Sequence, residues 1–356
     1  MPAKSMRVAL AAVLLASTAA TTGAIHAQTP TPFEVYRAAI ASYKRTADIG
    51  SAIQPLQNWS PAEFDAATKA MLASKNVEEI GTAAIFHLEI GVAFVGIYSG
   101  NTVLHFKYGT QLLNRYTAAK PRLAGAASRD EQQFRALWYG VAGSTFLAIR
   151  DLYRARPLLM KANSIAPKSA RMQTMMGMLD EFDALQFNPD DWVTLAQRER
   201  NQREQTIRFY RAQKQYSEAV HLDDTYALAH IRLGRVLHYS GHLKEAHASL
   251  ERGQRAAAEP LSQYLAALFL GAVQQDEKDL AAARRSFEQA VAIAPSSQPA
   301  VVALAHLELL AGRPDRANAL ARRLAEASLN GEPWWAFHYG GLDVPGLRSL
   351  RERAMK

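Results

Sequence analysis

Small and large side chains recur in a fixed order between residues 270 and 295, and this order restricts how helices in that segment can pack. Leu270-Gly271 is followed by Ala283, Phe287, Ala290 and Pro295, which lie twelve, sixteen, nineteen and twenty-four residues after the glycine. Two antiparallel helices approach closely only where small residues face each other, here Gly271, Ala283 and Ala290. Leu270 and Phe287 then fill the space between successive hairpins. The segment is predicted to be a helical hairpin that packs on neighbouring hairpins.

The same register fits the segments on both sides. Upstream it falls on Leu233-Gly234, Ala246, Leu250 and Gly253, and downstream on Leu304-Ala305, Ala317, Ala321 and Leu324. Turn-forming residues stand between the two helices of each unit, at Gly241, Lys278-Asp279 and Gly312. Three consecutive units therefore cover residues 227–331. A period of tens of residues indicates that each unit buries its apolar face on its neighbours.

This order of residues resembles the tetratricopeptide repeat, a helix-turn-helix unit of about 34 residues. The resemblance implies a right-handed superhelix in which the first helix of each unit lines a concave groove, and by itself it implies no chemistry. The rest of the chain shows amphipathic helical spacing and no stretch of strict alternation long enough for a strand. We therefore expect an all-α fold, an α-solenoid of tetratricopeptide-like hairpins with a divergent helical N-terminal region and a C-terminal capping helix.

The register weakens towards the N-terminus. In the degenerate region 131–226, a clear unit near 136–168 is marked by Gly143, Ala155, Leu159, Ala162 and Pro167. The helix ending at Asp224 resembles the second helix of another unit, but Arg200 stands where its glycine should be. Residues 28–130 are predicted to be helical, and Gly91 in the apolar stretch 80–98, followed by residues 101–116, marks a candidate divergent hairpin.

The segment from Met1 to Ala27 has the three-part layout of a secretory signal peptide. A basic start at Lys4 and Arg7 precedes an apolar stretch of about 13 residues and a small-residue end at Ala27, whereas a membrane span takes about 20 residues. We expect cleavage near Ala27 and export to the periplasm or the exterior. The apolar stretch 80–98 carries His87 and Glu89, so it is predicted to be a buried helix, and no integral membrane segment is expected after cleavage.

The C-terminal residues 332–356 combine an aromatic segment with an amphipathic helix. Terminal repeats need a cap over their last apolar face. We expect Trp334 and Trp335 to pack on the last hairpin, and the alternative is an exposed aromatic binding site.

The net charge of +8 falls to +6 once the segment ending at Ala27 is removed, which is modest for a chain of this size. The densest basic run comprises Arg198, Arg200, Arg203, Arg208, Arg211 and Lys214. Glu199 and Glu204 precede Arg203 and Arg208 by four residues, an orientation typical of a solvated helix face. A solvated helix is therefore favoured over an anion-binding patch, and no nucleic-acid partner is expected.

Patterns that carry chemistry are missing from the sequence. There is no cysteine, glycine-rich phosphate loop, G-x-S-x-G elbow or H-E-x-x-H motif. Five histidines lie close together in the sequence, but no carboxylate stands among them at a known ligand spacing; they are His221, His230, His238, His242 and His247. Packing is favoured over a metal site, and neither a cofactor nor a catalytic residue is predicted.

The groove remains as the candidate site. The register places towards its concave side Ile231, Arg235, His238, Tyr239, Leu268, Ala272, Gln275, Asp276, Val302, His306 and Leu309. Of these we predict partner binding by Arg235, His238, Tyr239, Leu268, Gln275, Asp276 and His306. Such a mixed lining suits a peptide held by apolar anchors and a few polar contacts. The alternative is that these are ordinary solvent-facing positions.

The strong repeats and the missing chemistry together favour a non-catalytic scaffold of the cell envelope that binds partner polypeptides. The rival hypothesis is an enzyme or enzyme-accessory protein with a site in residues 32–130, where the repeat pattern is weakest. A pocket with converging titratable side chains in that half would favour the rival.

Overall fold

The structure, a computed structural model, describes residues 30–93, 100–120, 126–187, 194–326 and 344–356. Within these ranges the chain forms sixteen α-helices and one 3-10 helix, and no strand. The all-α fold of paired helices is therefore confirmed. The predicted signal peptide and the aromatic segment with Trp334 and Trp335 lie outside the described residues.

The N-terminal region begins with α1 (Pro32–Thr46), α2 (Ile49–Ile53), the 3-10 helix (Gln54–Leu56) and α3 (Pro61–Leu72). Six pairs of adjacent helices follow, and the two helices of each pair pack on each other. They are α4 (Val77–Ala93) with α5 (Gly100–Ala119), α6 (Ala126–Ala148) with α7 (Leu152–Ile165), α8 (Ala170–Leu185) with α9 (Leu195–Leu222), α10 (Ala227–Tyr239) with α11 (Leu243–Ala256), α12 (Pro260–Asp276) with α13 (Leu280–Ile293), and α14 (Gln298–Leu310) with α15 (Pro314–Glu326). The last helix is α16 (Val344–Met355).

Four of the hairpin turns contain one residue with a left-handed backbone. These residues are Arg150, Gly241, Lys278 and Gly312, with φ of 59°, 78°, 68° and 69°. The left-handed residue reverses the chain, so that the N–H of the next residue can donate to a carbonyl in the last turn of the preceding helix. For example, the Asp279 N–H donates to the Gln274 carbonyl at 2.9 Å. Gly241, Lys278 and Gly312 are the turn positions that the sequence predicts.

A glycine on each of five first helices lies against a large side chain of the second helix. A Cβ added to the glycine would lie 2.5–2.6 Å from that side chain, at Gly91 with Phe106, Gly143 with Leu159, Gly177 with Tyr216, Gly234 with Leu250 and Gly271 with Phe287. Real Cβ atoms do not approach so closely, so the helices reach this separation only because the side chain is missing. The pair Gly91 and Phe106 shows that α4 and α5 pack in this way too.

The glycine of the α8–α9 hairpin is Gly177, and the expectation that Arg200 occupies this place is wrong. Its large partner, Tyr216, follows Gly177 by thirty-nine residues instead of sixteen. The repeat register assumes a short turn between the two helices. Helix α9, however, has 28 residues, and its N-terminal part extends beyond the contact of Tyr216 with Gly177. Arg200 therefore lies in the second helix of this unit, not in the first.

Helix α4 is buried around most of its circumference, as its apolar composition predicts. His87 and Glu89 are enclosed with its apolar residues, and each has a hydrogen-bonding partner from α1. Among the described helices, none combines the length and the apolar character that crossing a membrane requires.

The final helix α16 packs on α1, α4 and α6, whereas the sequence predicted that it covers the last hairpin. Its residues Leu347, Leu350 and Ala354 are buried there. Arg351 donates two hydrogen bonds to the buried carboxylate of Glu89, at 2.8 and 2.7 Å. The prediction of a C-terminal helix is right, but the helix packs on the N-terminal region. Repeat spacing could not indicate this position, because the contact joins residues 262 positions apart in the sequence.

Arg351→Ala is expected to lower the free energy of unfolding by about 3 kcal/mol, because it leaves the carboxylate of Glu89 buried with only the Tyr43 hydroxyl as a partner. Urea unfolding followed by circular dichroism measures this loss. The control is Arg37→Ala, which removes an exposed partner of Glu79 and should cost less than about 1 kcal/mol. Equal losses in the two variants would show that α16 is not held by this pair.

Candidate partner-binding groove

The first helices of three successive hairpins, α10, α12 and α14, line one concave pocket of about 780 Å³. All seven residues predicted to bind a partner contribute to its wall. They are Arg235, His238 and Tyr239 from α10, Leu268, Gln275 and Asp276 from α12, and His306 from α14. The structure thus brings the predicted residues together, while their role in binding stays a prediction.

The floor of the pocket is aromatic and its rim is open. Phe269 and Phe287 are almost fully buried beneath it, and Phe287 is the ring that packs on Gly271. At the rim, Tyr239 is 54% exposed and Val302 is 51% exposed. Apolar side chains left open to water in a concave site favour an apolar ligand group.

A buried carboxylate anchors the α10 side of the pocket. Glu181 of α8 is fully buried and accepts hydrogen bonds from Tyr216 at 2.5 Å, from Arg232 at 2.9 Å and from Arg235 at 2.6 Å. Burial alone would raise the pKa of Glu181, but the charges of the two guanidinium groups outweigh it and the pKa lies below its ordinary value. Glu181 is therefore ionised, and it fixes the side of Arg235 that faces away from the pocket.

On its pocket side, Arg235 orients Tyr239. Its guanidinium donates to the Tyr239 hydroxyl at 3.2 Å and lies 5.1 Å from the centre of the Tyr239 ring. Phe209 of α9 also contacts Tyr239, and the two rings stack with their centres 5.5 Å apart. An exposed aromatic ring held from two sides loses little conformational freedom when a ligand binds.

A polar bridge joins α10 to α12 across the pocket. Nε2 of His238 lies 2.7 Å from a carboxylate oxygen of Asp276. Ile231, which was also expected on the concave side, is instead fully buried, and a Cβ on Gly253 would lie 2.9 Å from its side chain. That expectation was wrong because Ile231 faces the second helix of its own hairpin.

Sequence reasoning missed residues of the pocket that come from unexpected positions. Phe269 follows Leu268 and was overlooked because the repeat pattern assigns no role to it, and Gln298 and Pro299 lie at the start of α14. Glu181 belongs to a hairpin whose glycine had been misplaced. The sequence gives no sign that the acid at this position is buried, unless α8 is already known to be the first helix of a hairpin.

The histidines between residues 221 and 247 do not form one cluster. His230 lies 2.9 Å from the Asp224 carbonyl, His238 pairs with Asp276, and His247 lies 2.7 Å from Glu277. Burial lowers the pKa of His230. In the described ranges no three histidine, aspartate or glutamate side chains lie close enough together to hold a metal ion.

Titratable side chains do converge in the N-terminal half, but inside the core. The Tyr36 hydroxyl lies 2.7 Å from Nε2 of His87, and Nδ1 of His87 lies 2.8 Å from Nδ1 of His105. Phe64 packs edge-on against His105 with ring centres 4.8 Å apart. Both histidines are almost completely buried. Burial lowers the pKa of His105 to about 4 and that of His87 well below its ordinary value.

The N-terminal half also contains a pocket of about 230 Å³, which lies between α4, α5, α6 and α16. Four of its titratable groups are joined in ion pairs. Lys120 pairs with Glu78, and Arg353 pairs with Asp130 at 2.5 Å. The charged side chains that converge at this pocket thus form pairs of opposite sign.

Acid is expected to destabilise the chain before its carboxylates are protonated. Unfolding releases His87 and His105 from burial, so the unfolded chain binds more protons between pH 4 and 6.5, and the free energy of unfolding falls as the pH drops through this window. Two such histidines lower it by about 3 kcal/mol between pH 6.5 and pH 5.

Urea unfolding at pH 7, 6 and 5 measures this dependence. His105→Phe should lose about half of the slope. An NMR titration of the native histidine side chains provides a second readout that does not require a stable variant: protonation of His105 above pH 6 would contradict the prediction.

The geometry defines a class: a solenoid of α-helical hairpins with a concave pocket of ligand size on its first helices. The family model of the tetratricopeptide repeat matches residues 275–338, and the prediction of tetratricopeptide repeats is confirmed there. The chain carries this repeat in its C-terminal part.

Several solved structures are similar to the chain at low identity. PilF of Pseudomonas aeruginosa is 17% identical, with 64% of this chain and 90% of that chain covered and a TM-score of 0.45. The type IV pilus biogenesis factor PilW is 15% identical, with 70% and 98% covered and a TM-score of 0.45. YrrB, a tetratricopeptide-repeat protein described with an unusual peptide-binding site, is 16% identical, with 61% and 98% covered and a TM-score of 0.39. No curated protein matches the chain.

Proposed function

We propose that the chain is a non-catalytic interaction scaffold of the cell envelope that binds a partner polypeptide in the groove of α10, α12 and α14. The observation that carries the proposal is the pocket with buried aromatic rings below and exposed Tyr239 and Val302 at its rim. Pockets of this size are typical of sites that enclose a ligand group. The tetratricopeptide match to residues 275–338 supports the same kind of function.

The chemistry of the wall indicates what a bound segment presents. Leu268, Ala272 and Val302 offer apolar surface, and Tyr239 supplies a rigid aromatic face. Gln275 and His306 offer hydrogen bonds at the edge of this surface. A polypeptide with one large apolar side chain and hydrogen-bonding backbone beside it complements this wall.

The envelope part of the proposal is supported by the signal-peptide layout of the segment ending at Ala27. It is tested by expressing the full chain with a C-terminal tag in a bacterium and measuring the mass of the recovered protein. We expect an N-terminus at or near Gln28 and recovery from the fraction released by osmotic shock. An intact Met1 in the cytoplasmic fraction would contradict export.

Groove binding is tested with a displayed library of random dodecapeptides selected on the full-length protein. Peptides selected in this way should bind Val302→Asp at least tenfold more weakly, because a carboxylate at that position is desolvated beneath an apolar side chain. Tyr239→Ala should weaken them by a similar factor, about 1.4 kcal/mol or more. Fluorescence anisotropy of the labelled peptide gives each dissociation constant.

The matched control is Tyr153→Ala, which removes a 90% exposed tyrosine from α7, outside the groove. It should leave the affinities unchanged. Selected peptides that bind both groove variants as tightly as the wild type would overturn the proposal.

A further inference from the structure

Helix α9 is much longer than the helix it packs on. It has 28 residues against the 16 of α8, or about 42 Å against about 24 Å at the usual helical rise. Its buried residues, Phe209, Ala212, Tyr216 and Ala219, all lie in the second half. The first half has no buried residue, and its contacts with α8 include those of Gln205 with the Ala184 carbonyl and of Arg208 with Asp183.

The outward face of α9 carries one continuous stripe of exposed side chains. Arg200, Arg203, Ile207, Tyr210 and Lys214 are all exposed and follow the alternating spacing of three and four residues typical of a helix-helix seam. At 100° per residue this stripe lies directly across the helix from the buried residues. Ile207 is 46% exposed and Tyr210 is 66% exposed. We call these five residues the α9 seam.

The three cationic side chains of the α9 seam have no acidic partner among the described residues. Arg208, on the other side, pairs with Asp183 at 2.5 Å and with Glu204 at 3.6 Å. Arg200, Arg203 and Lys214 form no ion pair among the described residues, so the expected pairing of Glu199 with Arg203 does not occur. The seam thus offers two cations at one end, two apolar side chains in the middle and one cation at the other end.

We propose that the α9 seam binds an acidic amphipathic helix of a partner polypeptide. Carboxylates of the partner lie opposite Arg200 and Arg203 at one end and opposite Lys214 at the other, and its apolar side chains cover Ile207 and Tyr210. The seam runs over fifteen residues, from Arg200 to Lys214, and its ends lie about 21 Å apart along the helix, which is about four turns. This inference is independent of the groove of α10, α12 and α14.

The charges beside the seam favour a polypeptide over other anionic partners. Glu199, Glu204 and Glu218 flank the cations, and these carboxylates would repel the closely spaced phosphates of a nucleic acid. A membrane surface takes up helices through a broad apolar face, whereas here two apolar residues stand among three cations. A helix with carboxylates at its two ends meets the cations and avoids the flanking acids.

The probe is a synthetic 21-residue amphipathic helix with glutamates at both ends and leucines in its centre, and its partner peptide carries glutamine in place of each glutamate. We expect the acidic peptide to bind the full-length protein at least tenfold more tightly than the glutamine peptide, measured by fluorescence anisotropy. Its affinity should fall with rising salt, and its helicity by circular dichroism should rise on binding.

Double charge reversal, Arg200→Glu with Arg203→Glu, should weaken the acidic peptide at least tenfold, and Tyr210→Ala should weaken both peptides. The control reverses two exposed arginines on α15, Arg322→Glu with Arg323→Glu, and changes the net charge equally. All these side chains are exposed, so the variants should keep the wild-type circular dichroism spectrum.

Three results would overturn the proposal. One is equal weakening by the two double reversals, which would show attraction by net charge alone. Another is equal binding of the acidic and glutamine peptides. The third is binding of phosphatidylserine vesicles or of a thirty-residue oligothymidylate that depends on Arg200 and Arg203 when the acidic peptide does not bind.

Discussion

The contact between a glycine of one helix and a large side chain of the next sets the helix spacing on which the groove depends. In five hairpins the second helix places a ring or a leucine where a Cβ would otherwise stand. The α10–α11 and α12–α13 hairpins are closed in this way, and α10, α12 and α14 share one pocket wall. Of the five large side chains in these glycine contacts, Phe287 alone also lines the pocket. The position of the pocket therefore follows from packing, and its chemistry is left to vary.

Buried charge has a geometric role here more than a stabilising one. Bringing Glu181, Arg232 and Arg235 out of water costs desolvation energy, and such groups seldom stabilise a fold more than apolar residues of the same size would. Their hydrogen bonds have fixed directions, however, and they join α8, α9 and α10 through one carboxylate. Arg235 in turn holds Tyr239. The orientation of one groove residue thus depends on the hairpin before it.

Most of the fold could be predicted from the spacing of residues close together in the sequence. The hairpin register around Gly271, the turns at Gly241, Lys278 and Gly312, and the groove positions from Arg235 to His306 could be predicted because each rests on residues close in sequence. Gly177 was missed because its partner Tyr216 follows an extended helix. The seat of α16 and the contacts of Glu181 were missed because they join distant segments, and a buried ion pair has no periodic signature.

The pairing of Arg351 with Glu89 has a consequence for biosynthesis. Glu89 is enclosed in α4, and the helix that neutralises it follows 262 residues later in the chain. During synthesis Glu89 therefore lacks its counter-charge until the six hairpins have been made, whereas each central hairpin meets its neighbours soon after it emerges. A chain that stops before α16 keeps an unneutralised acid in its core. Completing the first part of the fold thus waits for α16.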